Sequence, residues 1–317
     1  MLDFHCACNV NAWRSQANEG VSEVSGTNLL QLSGEETEFL GLIGLTIEPG
    51  RSDSDSCSTE IGRDGSLLVI RIPFPHSAAM DLSANLKAIQ TGIEAACART
   101  KRDPASVTLL AVSKSQSPAA VRAVAELGLS VFGESKVQEA KAKIPLCPGH
   151  LRWHMIGHLQ TNKCRDAAHF FEMIQSVDRL ELAEEINQRA GQAAKTMPIL
   201  LEINIAGEAS KFGYPPDRLL KELEQINALK RIEIQGLMTI APWTREPERV
   251  RPIFRQLREL KERSEKILGA PLPHLSMGMS GDFGVAVEEG ATIVRIGTAL
   301  FGPRSQSKKP MAREDTA

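Results

Sequence analysis

The chain has 317 residues, 42% of them hydrophobic and 24% charged, a balance that excludes fibrous and disordered classes and suffices for one large core or two modest ones. A formal net charge of −2 leaves no global basic excess to hold nucleic acid or an anionic membrane. No run of 18 apolar residues occurs, and the opening MLDFHCACNV lacks the basic region and apolar core of a secretory signal.

The reading is a cytoplasmic protein with neither nucleic acid nor membrane as partner. Six cysteines form no C-x-x-C pair, which fits reduced thiols better than a disulfide framework. Cys6-Ala7-Cys8 lacks the second pair a zinc site needs, so no metal is expected.

Residues 1–79 carry 11 acidic side chains against 4 arginines and no lysine, net −7, whereas the remainder carries 28 acidic and 33 basic residues, net +5. This first stretch is rich in Ser and Gly, and its two apolar runs, Phe39 to Ile47 and Leu67 to Ile72, offer at most a strand or two. It reads as a poorly ordered extension, or as a stretch upstream of a true start at Met80. After Pro73 and Pro75, Leu82, Leu86, Ile89 and Ile93 recur at helical spacing behind possible N-caps at Asp81 and Ser83. A folded domain is expected over 80–303, with a flexible tail over 304–317.

Within that domain eight short apolar runs are separated by amphipathic helical patterns: 107–114, 130–135, 153–158, 171–178, 198–206, 232–240, 273–280 and 292–302. Eight βα steps with continuously apolar strands predict a single parallel (β/α)8 TIM barrel. An open doubly wound sheet is the alternative, but no G-x-G-x-x-G follows any strand.

In a barrel the chemistry sits at the C-terminal ends of the strands. The first strand ends in Ser113-Lys114; Lys114 is either a surface residue of a βα loop or a partly desolvated amine able to form a Schiff base with a carbonyl. Arg295 lies inside the eighth strand, where a buried guanidinium needs either a salt bridge or a polar ligand in the mouth. Ser276-Met277-Gly278-Met279-Ser280-Gly281 and Gly297-Thr298 follow the seventh and eighth strands, where barrels commonly bind phosphate on exposed backbone N–H groups. Lysine, phosphate cup and arginine together suggest a phosphorylated aldehyde. His154 and His158 share a strand face without a third ligand, and read as core or barrel-mouth residues rather than as a metal pair. Met277 and Met279 read as packing.

Seven motifs in order resemble those of the pyridoxal phosphate homeostasis protein family, also called YggS or PROSC-like: Ala111 to Lys114, Phe132 to Glu134, Trp153 to Lys163, Ser176 to Arg179, Gly236 to Met238, Leu275 to Ser280 and Val294 to Gly302. The resemblance covers residues 80 to 303 and implies a single barrel like the alanine racemase N-terminal domain, with pyridoxal 5′-phosphate (PLP) at its mouth. Carried over by position, Lys114 is the Schiff-base lysine, Ser276, Gly297 and Thr298 bind the phosphate, and Arg295 faces the pyridine nitrogen. Asn204, Met238, His158 and Lys211 line the pocket. One departure stands out: where the family reads Phe-Gly-Glu-Asn-Tyr, Ser135 and Lys136 follow Glu134 here, so one amide hydrogen bond to the cofactor is replaced at best by Ser135.

An arginine at the ring nitrogen disfavours the protonation that makes PLP an electron sink. The chain has one tyrosine, Tyr214, and about 15 residues after the eighth strand, too few for the second domain that gives an alanine racemase its opposite-face base. The expectation is a PLP carrier or reservoir without a dedicated catalytic activity, a monomer or weak dimer with PLP-dependent enzymes as recipients. A narrow amino-acid racemase and a Schiff-base aldolase are the alternatives.

Overall fold

The computed structural model describes residues 81–208 and 211–303, together with the backbone of three strands before them. The expectations for order in residues 1–79, for Cys6-Ala7-Cys8 and for the tail 304–317 otherwise lie outside the described residues. The chain divides between Ala79 and Met80 into two compact units. In the first, β1 (Leu45–Pro49), β2 (Ser58–Ile61) and β3 (Leu68–Ile72) make a sheet of order β1-β3-β2, with β1 parallel and β2 antiparallel to β3. Two strands at most were expected; β2 reads Ser-Thr-Glu-Ile, with no apolar run to announce it.

The second unit opens with α1 (Leu82–Thr100). Of the two candidate caps it is Asp81 whose carboxylate accepts the Ala84 N–H, at 2.9 Å. Leu86, Ile89 and Ile93 are buried along one face, each contributing about 2 kcal/mol of apolar burial. Eight parallel strands then close into a barrel in the order β10-β11-β4-β5-β6-β7-β8-β9. They are β4 (Thr108–Val112), β5 (Val131–Glu134), β6 (Arg152–Met155), β7 (Met173–Val177), β8 (Met197–Glu202), β9 (Ile232–Met238), β10 (His274–Ser276) and β11 (Ile293–Ile296). Between them run α2 (Pro118–Glu126), α3 (Val137–Lys143), α4 (Cys164–Phe170), α5 (Leu180–Gln192), α6 (Pro216–Asn227), α7 (Arg251–Leu268) and α8 (Phe283–Glu288). The expected barrel is the observed one, and every predicted strand run overlaps one of these strands, with β6 and β8 each beginning one residue ahead of its run.

The run 292–302 is shorter as a strand than its composition suggests. β11 stops at Ile296, and after Gly297 the chain coils into the single turn α9 (Thr298–Phe301), burying Leu300 and Phe301. Apolar residues alone do not distinguish a strand from a buried helical turn.

Strand alternation splits the core. Leu110, Val112, Val131, Ile156, Met173, Leu200, Met238 and Ile293 form one cluster, while the alternate positions pack in a larger cluster with the helices. Register holds the inner set level: Arg295 pairs with Leu110, Val112 with Gly133, Gly133 with His154, and Glu202 with Met238, which pairs with Ser276. Side chains of paired residues in parallel strands point to the same face. His154, Glu202, Ser276 and Arg295 are therefore polar members of the largely apolar barrel interior.

Candidate functional site

Lys114 lies two residues beyond Val112, continuing the inward parity of Leu110 and Val112 past the end of β4, and it is half-buried. Lys114 thus stands in the turn at the C-terminal end of β4, the end where barrels carry their chemistry. Beside it Ser113 is fully buried, and its hydroxyl donates to Glu134 Oε1 at the end of β5, at 2.7 Å. Burial raises the Glu134 pKa above the usual carboxylate range, with Lys143 and Ser113 opposing.

Arg295 is 4% exposed. Its guanidinium donates to Ser276 Oγ and to the Thr239 carbonyl, both at 2.8 Å. Among the described residues no carboxylate closes an ion pair with it; burial lowers its pKa to about 10, and Glu202 and Asp282 favour its charge from farther off. Of the two readings of Arg295, the salt bridge with a neighbouring strand is absent among the described residues. The hydroxyl it touches is the head of a buried chain: Ser276 Oγ donates to Gln175 Oε1 at 2.6 Å, and Gln175 Nε2 meets His154 Nδ1 at 2.8 Å. Burial holds His154 down at about 3, with Arg152 and His274 adding to the effect, so its ring is neutral. Nδ1 then accepts the Gln175 amide proton, which leaves Gln175 Oε1 to accept from Ser276 and the Ser276 oxygen to accept from Arg295.

The segment after β10 is shaped by Gly278 at φ +90°, where a Cβ would stand 2.5 Å from Ala286 Cβ. Its carbonyl accepts the Arg295 N–H at 3.0 Å. Asp282 closes the loop by accepting the Met279 N–H at 2.6 Å, and Ser280 Oγ accepts the Ala299 N–H at 3.1 Å. The turns carrying Ser276 and Gly297-Thr298 are thus stitched together into one cup. Met277 is fully buried, as packing requires.

Across β9 from β10, the segment after β8 turns back on itself, the Asn204 N–H donating to the Tyr214 carbonyl. Asn204 Nδ2 donates to the Glu208 and Lys211 carbonyls at 2.9 and 3.3 Å, while its Oδ1 is buried without a hydrogen-bond partner among the described residues. Lys211 pairs with Glu208 at 2.8 Å. The His158 ring stacks on Phe212 with centroids 3.7 Å apart, and Asp178 Oδ2 lies 3.2 Å from Nδ1 but off the line of a hydrogen bond. Met238 is fully buried at the end of β9. Glu202, 5% exposed, has its pKa raised to about 7 by burial and then by Asp178, with Arg295 opposing.

Direct contact joins Ser276 to Arg295 and Asn204 to Lys211. Lys114, Met238, His158, Gly297 and Thr298 sit at other strand ends around the same mouth. Sequence reading missed Gln175, Thr239, Glu202 and Lys143. Gln175 and Glu202 carried a usable signal, a polar residue inside or ending a strand that is otherwise apolar; Thr239 acts through its backbone carbonyl and carried none. Among the described residues no group of three metal-ligating side chains is found, and no helix is long and apolar enough to cross a membrane.

Residues 84–305 match the family model described as alanine racemase, N-terminal domain. A pyridoxal phosphate homeostasis protein of Aquifex aeolicus is 43% identical over 226 residues, covering 71% of this chain and 99% of that protein. One of Pseudomonas aeruginosa is 41% identical over 224 residues, covering 70% and 96%. Among solved structures, PipY of Synechococcus elongatus with PLP bound superposes with a TM-score of 0.62 at 36% identity, over 70% of this chain and 100% of that one. With two thirds of its length accounted for by relatives matched almost end to end, the chain belongs to the pyridoxal phosphate homeostasis protein family.

Proposed function

We propose that this protein binds PLP at the barrel mouth, holds it as a Schiff base on Lys114, and serves intracellular PLP homeostasis as a carrier or reservoir. The observation that carries the reading is Arg295: a buried cation held, among the described residues, by the neutral oxygens of Ser276 and Thr239, on the strand that pairs with the one Lys114 follows. The residues fit the cofactor. The uncompensated guanidinium suits a ring nitrogen that stays unprotonated, the buried Asn204 Oδ1 is an acceptor awaiting a donor, and the small-residue cup beside Gly278 leaves backbone within reach of a phosphate.

When bound, PLP supplies a reactive aldehyde and a pyridine ring that withdraws electrons in proportion to its protonation. Lys114 supplies the amine. Gly297 and Thr298 would bind the phosphate; Ser276, expected beside them, has its hydroxyl taken by Gln175 and Arg295 and would instead steady Arg295, which would keep the ring nitrogen an acceptor and weaken the electron sink. Asn204, Met238, His158 and Lys211 complete the walls. Tyr214 supplies no base at the mouth: its ring is fully buried under Arg218 of α6, and burial, reinforced by Glu222, raises its pKa. These roles favour retention of the cofactor over turnover. The binding unit is residues 80–303, a monomer or weak dimer working in the cytoplasm, where PLP-dependent apoenzymes are the recipients.

Titration with PLP tests this. The parent is expected to develop the visible absorbance of a lysine Schiff base at one equivalent, and Lys114→Ala to show none. A parent that takes up no PLP overturns the reading. Turnover of any L-amino acid above about 1 s⁻¹, within the usual enzyme range, overturns the carrier role in favour of a racemase.

A further inference from the structure

Lys143, on α3, is 5% exposed, and none of the roles above uses it. Its ammonium has three acceptors, one per proton: the Ser113 carbonyl at 2.7 Å, Glu134 Oε1 at 2.7 Å and Glu139 Oε1 at 2.8 Å. The same Glu139 oxygen accepts the Ser115 N–H at 2.5 Å. Ser113 and Ser115 flank Lys114, so the carbonyl before this lysine and the N–H after it are tied to two residues one helical turn apart on α3.

The segment so held is a tight turn. The Gln116 N–H returns to the Ser113 carbonyl at 3.0 Å, placing Lys114 and Ser115 at its two central positions. Ser115 has φ +62°, a left-handed conformation uncommon for a residue with a side chain and maintained only where its surroundings over-determine it. The bond from its N–H to Glu139 and the grip on the Ser113 carbonyl supply that determination. Glu134, with Oε2 buried and unpartnered among the described residues, completes the cluster through Ser113 Oγ and Lys143.

We propose that Glu139 and Lys143 are positioning residues for Lys114, fixing its backbone turn so that the ε-amine meets the cofactor aldehyde in bonding geometry. This rests on the reading of Lys114 as the Schiff-base lysine. The unprotonated amine nitrogen adds to the aldehyde carbon; its two protons leave with the former carbonyl oxygen as water, and a C=N bond replaces C=O. No oxidant or reductant is needed. A turn free to relax swings the amine away and weakens this one bond; the phosphate cup, although β11 is paired with β4, is held by its own bonds through Gly278, Ser280 and Asp282.

The test compares PLP with 4-deoxypyridoxine 5′-phosphate, which has the same ring and phosphate but no aldehyde. Glu139→Ala is expected to bind the deoxy analogue within twofold of the parent and to lose about tenfold in PLP affinity, the size of one charge-assisted hydrogen bond, with a matching loss of Schiff-base absorbance. Glu139→Gln keeps an acceptor for the Ser115 N–H and is expected to fall between the two; it decides the matter should the alanine variant not fold. Equal weakening of both ligands, or PLP affinity unchanged in the variants, overturns the positioning role. A parent that forms no Schiff base, or a Lys114→Ala protein that still forms one, instead overturns the Lys114 reading on which it rests.

Discussion

Glu202 and His154 show how the barrel interior uses burial to set charge. Glu202 ends β8 level with Met238 and Ser276, and its pKa of about 7 exceeds that of a carboxylate in an unfolded chain. Between about pH 4.3 and 7 the folded protein therefore keeps a proton that the unfolded chain has released. Stability from this group is complete below that window and is lost as pH rises through it, by up to about 4 kcal/mol. His154 acts in the opposite sense: with its pKa at about 3, the neutral ring stabilises the fold above about pH 6.5 and that contribution falls away as pH drops toward 3. Comparison with a variant separates the two. Urea midpoints of Glu202→Gln are expected to fall less than the parent's between pH 5 and pH 8, and parallel profiles would show that Glu202 does not titrate in this range.

Among the elements, β9 and β10 depend on a close approach that one residue permits. Gly236 has φ +154°, and a Cβ there would stand 1.9 Å from the His274 carbonyl oxygen, a backbone atom that cannot rotate aside. Gly236→Ala is expected to cost about 3 kcal/mol, the upper range for overpacking, read as a lower denaturant midpoint; an unchanged midpoint would mean that the two strands separate freely. Most elements were legible because period and burial agree in them: the β strands of the barrel are continuous apolar runs, and α1 declares itself by Leu86, Ile89 and Ile93 behind Asp81. β2 was not legible, since its polar sequence is recruited by pairing with β3 rather than by an apolar face. Lys143 was equally hidden. In Val-Gln-Glu-Ala-Lys-Ala-Lys two lysines look like one solvated face, yet Lys141 is exposed and Lys143 is buried, because only the latter reaches Glu134 and Ser113.

Across the whole molecule, strand ends converge two kinds of group that sequence alone left as separate readings. The lysine after β4 had an ordinary surface alternative, and the arginine in β11 an ordinary salt-bridge alternative; the barrel makes β4 and β11 neighbours and, among the described residues, gives the arginine neutral hydrogen-bond partners. What stayed illegible was the connection between strands, the run from Arg295 through Ser276 and Gln175 to His154, because it depends on register across a closed sheet and not on spacing along the chain. Residues 80–317, net +5, carry this mouth, a fitting charge for a phosphorylated cofactor. Borohydride reduction of the protein after mixing with one equivalent of PLP, followed by peptide mass mapping, tests the central claim most directly. The cofactor is predicted to be fixed to the peptide containing Lys114; a label on Lys211 or another lysine, or no label at all, would contradict it.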